Sequence, residues 1–76
     1  MHLLTKIRLD GAGLPYWSTR LMHNDEVVME VVSHATFNPN NKQKAREAYE
    51  SCTVRAIAEI GKSPDRETIM RMLIQD

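Results

Sequence analysis

The apolar residues of this chain change period near Asn38. From Leu3 to Ala35 they recur mostly at every second position, and from Ala45 to Ile60 at every third or fourth. A period of two lines one face of a strand, and a period near 3.6 lines one face of a helix. The order of the two patterns therefore predicts a small sheet followed by one long helix. At 76 residues, this is a single domain (1–76) with a thin core. A chain of such length buries only about 60% of its unfolded surface. Small folds often need a staple beyond their core. An internal disulfide is not available, because Cys52 is the only cysteine. His2, His23 and His34 lack the paired spacing of a structural zinc site, so no metal is expected. The expected staple is self-association or a partner.

Leu3, Thr5, Ile7 and Leu9 alternate with Leu4, Lys6 and Arg8, which predicts a half-buried first strand. Asp10 to Pro15 contains two glycines and a proline and reads as a turn. It lacks the third glycine of a dinucleotide fingerprint and the Gly-Lys-Ser/Thr of a phosphate loop. Tyr16 to His23 reads as the second strand, Asn24-Asp25 as a two-residue hairpin loop, and Glu26 to Ala35 as the third strand. That loop pairs His23 with Glu26, Leu21 with Val28, Thr19 with Glu30 and Trp17 with Val32. The other face then carries Met22 opposite Val27, Arg20 opposite Met29 and Ser18 opposite Val31. Both faces are partly apolar, and one helix covers only one of them. The uncovered face is expected to pack on a second copy or a partner. A one-residue slip would exchange the faces.

Asn38 followed by Pro39 reads as the cap and first position of the long helix, with Asn40 and Asn41 as alternative starts. Ala45, Ala48, Tyr49, Cys52, Ala56, Ile57 and Ile60 form one apolar stripe, and Gly61 reads as the stop. Ser63-Pro64-Asp65 reads as the start of a second helix carrying Ile69, Met70, Met72, Leu73 and Ile74. That is more apolar surface than one buried stripe needs. The predicted fold is α+β: a three-stranded antiparallel β-meander followed by one long and one short α-helix, with strands in sequential order.

Ten basic and ten acidic side chains cancel, which argues against a strongly basic nucleic-acid binder. No apolar run reaches the ~20 residues of a membrane span. The start, Met1-His2-Leu3-Leu4, lacks the regions of a signal peptide, and a single cysteine suits a reducing compartment, so a cytoplasmic protein is expected. Asp25, Glu26 and Glu30 lie together on the hairpin, but acid catalysis needs carboxyls converging in a cleft, and so thin a domain has little room for one. Cys52 on the apolar stripe reads as a core thiol rather than a nucleophile. No catalytic residue and no cofactor are therefore expected, and the chain reads as a non-enzyme.

Three candidate surfaces remain. Tyr16, Trp17 and Arg20 are residue types that dominate binding hot spots, although a lone tryptophan is also a natural core anchor. Met22 and Met29 on the hairpin, with Met70, Met72 and Ile74 on the last helix, complete a candidate protein-binding set. Lys42, Lys44 and Arg46 place cations at a helix start, where the dipole favours anions instead, and so suggest an anionic partner. The text Asn41-Lys42-Gln43-Lys44-Ala45-Arg46-Glu47-Ala48, preceded by a sheet, is similar to the basic helix start of double-stranded RNA-binding domains. That resemblance covers the last strand and the helix, and it implies nucleic-acid binding through Lys42, Lys44 and Arg46. The leading expectation is a small protein-binding module, homodimeric, that inhibits or adapts a larger cellular machine. In size and layout it looks like phage or mobile-element accessory proteins, including inhibitors of host defence. Nucleic-acid binding is the alternative.

Overall fold

A computed structural model describes residues 1–33 and 36–75. Three strands precede two helices: β1 His2–Leu9, β2 Pro15–His23, β3 Glu26–Val32, α1 Lys42–Lys62 and α2 Arg66–Gln75. The sheet is antiparallel in the order β1-β2-β3, so the βββαα architecture is the one the periods predict. His34 and Ala35, the predicted end of the third strand, lie outside the described residues. Among the described residues no helix is long and apolar enough to cross a membrane.

Each turn is made by the residues that local chemistry favours. Between β1 and β2, the Asp10 carboxylate accepts from the backbone N–H of Ala12 at 2.9 Å and of Leu14 at 2.8 Å. Gly13 sits at φ 81° there, a conformation costly for a side chain. Asn24 and Asp25 both take positive φ, 51° and 64°. That two-residue loop matches the twist of the strands it joins.

The register departs from the simple hairpin at one point. His23 pairs with Glu26 and Met22 with Val27, as predicted, but Leu21 pairs with Met29. Val28 is skipped and forms a β-bulge. Every later pair shifts by one residue. Thr19 faces Val31, Arg20 faces Glu30 and Ser18 faces Val32. Met29 and Val31 therefore move to the side covered by the helices, and Glu30 moves to the open side. The predicted pairs Leu21–Val28, Thr19–Glu30, Trp17–Val32, Arg20–Met29 and Ser18–Val31 do not form.

α1 lies across β2 and β3, while α2 packs on α1 and β1. The helix approaches the sheet on small residues. Cys52 and Ala56 are fully buried, and Ile60 is buried beside Leu21 and Ile69, with Met1, Leu3, Met29 and Leu73 packed around them. A polar thread runs through the seam. The Thr5 and Thr19 hydroxyls are 3.0 Å apart, Thr19 Oγ1 is 3.2 Å from Cys52 Sγ, and that thiol donates to the Val31 carbonyl at 3.3 Å. Each buried hydroxyl is thus satisfied, which avoids the cost of an unpaired one.

The helix ends also differ from the predicted ones. The N-cap is Asn41, one of the alternative starts, and its side chain accepts from the Lys44 N–H at 3.1 Å. Asn38 instead closes the turn before it, accepting from Asn40 N–H at 2.9 Å. Gly61 does not stop α1; it lies inside the helix, which ends at Lys62 with Ser63 as cap. The N–H of Ser63 bonds the Ile60 carbonyl at 3.0 Å, and its hydroxyl accepts from Asp65 N–H at 3.2 Å. Ser63 thus closes α1, and α2 starts at Arg66. A Cβ added at Gly61 meets nothing within 4 Å. Gly61→Ala should therefore raise stability by about 0.5–1 kcal/mol, the usual gain at an interior helix position. Urea denaturation reads this directly. A destabilised variant would contradict the helical assignment.

Candidate protein-binding surfaces

Trp17 belongs to the packed side of the sheet. Its indole Nε1 donates to the Ala45 carbonyl at 2.8 Å. Its ring lies 6.0 Å from that of Phe37, near parallel at 19°, and 5.1 Å from that of Tyr49, edge-on at 76°. Trp17 is thus the anchor between β2, α1 and the segment before α1, not a free binding residue. Met29 likewise packs against the core. Both side chains leave the candidate protein-binding set by position.

The open face of the sheet carries His2, Leu4, Lys6 and Arg8 of β1, opposite Met22, Arg20, Ser18 and Tyr16 of β2. Its centre is polar. One carboxylate oxygen, Glu30 Oε2, accepts from Ser18 Oγ and from Arg20 Nε, each at 2.6 Å. Arg8 Nε sits 3.9 Å from the same oxygen, without a hydrogen-bond partner among the described residues. The hydroxyl of Ser18 and the guanidinium of Arg20 hold the Glu30 carboxyl below the usual carboxylate range, with the charges of Arg20 and Arg8 adding and slight desolvation opposing. The expected apolar sheet face is therefore split. Half-buried Tyr16, Leu4 and Met22, with exposed Val27 and Val32, surround a charged cluster. The bulge at Val28 causes this, because it exchanges Met29 for Glu30 opposite Arg20.

The helical layer keeps its apolar surplus. On α2, Met70 is 43% and Ile74 80% exposed, while Met72 is half-buried. On α1, Val54 and Ile57 are 64% and 52% exposed. Ile57 and Tyr49 belong to the predicted stripe, so the sheet covers only part of it. Ile7 and Leu9 on β1 are also exposed, at 50% and 66%. They share the helix side of the sheet with Trp17, yet α1 runs over β2 and β3 and leaves them bare. The signal for these two was present in the alternation of the first strand. One helix is narrower than three strands, and α1 lies over β2 and β3.

The basic helix start is exposed. Lys44 pairs with Glu47 at 3.5 Å and Arg46 with Glu50 at 3.3 Å, both on the same helix. A depression of about 400 Å³ beside it is lined by Ser33, Phe37, Lys44, Glu47 and Ser51 among others. Its two charged residues are the Lys44–Glu47 pair. Cys52 is buried. Among the described residues no group of three His, Cys, Asp or Glu is placed to hold a metal. Comparison with protein families, with curated proteins and with solved structures finds no match to this chain.

The Glu30 cluster makes a testable contribution. A carboxyl with a depressed folded-state pKa stabilises above its ordinary value, 4.5 for this glutamate, and that contribution is lost as pH falls through the folded value. Glu30→Gln should cost less than about 1 kcal/mol at neutral pH, because the cluster is partly exposed. The gap from wild type should persist at neutral pH and close as pH falls below the ordinary glutamate value. Thermal unfolding across that range checks it, and a gap independent of pH would contradict the assignment.

Proposed function

We propose that this chain is a non-enzymatic protein-binding module that inhibits or adapts a larger cellular machine. The observation that carries the reading is the exposed apolar surface of the helical layer, Val54, Ile57, Met70 and Ile74. Apolar surface left outside the core of so small a domain marks an interaction site. The unbranched Met70 side chain can also adapt its shape to a partner. The Arg8–Glu30–Arg20 cluster makes the centre of the open sheet face a weaker apolar dock, which directs partners to the helices and to the flank of β1. Size and layout suit an accessory regulator of the phage or mobile-element type. A free buried thiol suits a cytoplasmic setting.

Lys42, Lys44 and Arg46 offer the competing nucleic-acid reading, and the two are separable. Tagged protein should retain a stoichiometric protein partner from nuclease-treated extract. Met70→Lys and Ile74→Lys should lose that partner while circular dichroism and melting stay near wild type. Joint replacement of Lys42, Lys44 and Arg46 by Glu should leave it bound. Loss of all partners on nuclease treatment, with binding abolished by the Glu variant, would overturn the protein-binding reading in favour of nucleic acid.

A further inference from the structure

We infer that one partner of this domain is a second copy of itself, joined edge to edge through β1 about a two-fold axis at Thr5. The inference rests on the protein-binding reading and names a partner and a geometry for it.

The two outer edges of the sheet differ. β3 carries the bulge at Val28, and Arg55 Nη1 reaches over from α1 to donate to the Val32 carbonyl. Both are devices that discourage strand addition. β1 has eight residues, His2–Leu9, with no proline or glycine, and it pairs with β2 at every position from His2 to Leu9. Among the described residues its outer side pairs with no other strand, and such an edge is a template for one.

Charge selects the register. Two copies of an edge strand that add symmetrically run antiparallel, with the axis perpendicular to the sheet and passing through one residue position. An axis at Lys6 opposes Lys6 to itself. An axis at Ile7 opposes Lys6 to Arg8, and one at Arg8 opposes Arg8 to itself. Like charges directly opposite are destabilising. An axis at Leu4 avoids this but pairs only residues 2 to 6. An axis at Thr5 pairs residues 2 to 8 and opposes no lysine or arginine to another. His2 then faces Arg8, Leu3 faces Ile7, Leu4 faces Lys6, and Thr5 faces itself.

The same axis covers the surface that α1 leaves bare. Ile7 and Leu9 come to lie opposite Leu3 and Met1 of the second copy, on the helix side of the sheet. Leu3 and Met1 already pack against the core cluster of Leu21, Ile60 and Ile69. The two cores thereby join into one across the axis. α2 packs against β1 and shares that cluster through Ile69 and Leu73, so α2 of the second copy approaches the uncovered end. The exposed end of one strand meets the covered end of the other twice over, as a two-fold interface requires.

Sedimentation equilibrium of the full chain should show a reversible dimer at micromolar concentrations. Ile7→Lys, at an exposed position, should raise the dimer dissociation constant by about tenfold or more while the dichroism spectrum stays unchanged. Register is read by oxidative cross-linking, because facing residues of antiparallel strands lie within disulfide reach. A mixture of Leu4→Cys and Lys6→Cys chains should cross-link, whereas Lys6→Cys alone should not, with wild type as the Cys52 background. A protein monomeric at all concentrations overturns the inference, and the partner-capture result then judges the wider reading on its own. A dimer insensitive to Ile7→Lys, or one in which Lys6→Cys alone cross-links, also overturns it.

Discussion

The close approach of α1 to β2 governs the rest of the structure. It is possible because the helix presents alanines and a cysteine where it crosses the strand. Cys52 and Ala56 keep the helix close to the strand, and the thiol gives the buried Thr19 hydroxyl a second partner beside Thr5. At one end of the seam Trp17 ties the strand to the Ala45 carbonyl; at the other Ile60 closes against Leu21. A larger side chain at 52 or 56 would lift the helix and strand the Thr5–Thr19 pair. Overpacking of this kind costs about 1–3 kcal/mol, a large share of what such a small core supplies.

A helix seated that closely on β2 cannot also shelter β1. The apolar side chains of the outer strand, Ile7 and Leu9, therefore remain exposed on the packed side. The open side has a different solution. There a carboxylate, two guanidiniums and a hydroxyl form a polar cluster, so the face tolerates water without a covering layer. The fold thus finishes one edge with a bulge and Arg55 and leaves the other unfinished. Its exposed apolar surface is what its own helices fail to cover, together with the outer side of those helices.

Much of this was legible in the sequence. The alternation of Leu3 to Leu9, the Asn24-Asp25 loop and the stripe from Ala45 to Ile60 correctly predict three strands, their order and the helix that covers them. Those signals are local, and local chemistry decides them. The bulge at Val28 was not legible, because no turn residue marks it and tertiary fit alone selects it. A trace existed in the charges, since only the slipped register sets Glu30 opposite Arg20. Gly61 misled for a related reason. Glycine usually ends a helix when the chain needs positive φ, and here Ser63 supplies the stop two residues later. Of the candidate residues on α2, Met70 and Ile74 are exposed, as the apolar surplus of that helix predicts. Trp17 took the core role that a lone tryptophan also suggests, Met29 changed sides through register, and Ile7 and Leu9 stay exposed because the sheet is wider than its helix.

The unfinished edge is the central claim, and amide hydrogen exchange tests it most directly. Edge amides with no partner exchange through small local openings, and pairing with another strand slows them. Exchange of residues 2–9 and 26–32 should be compared between dilute and concentrated protein. The expected result is protection of β1 that grows with concentration while β3 stays constant. Equal behaviour of the two edges, or protection gained on β3 alone, would contradict the claim.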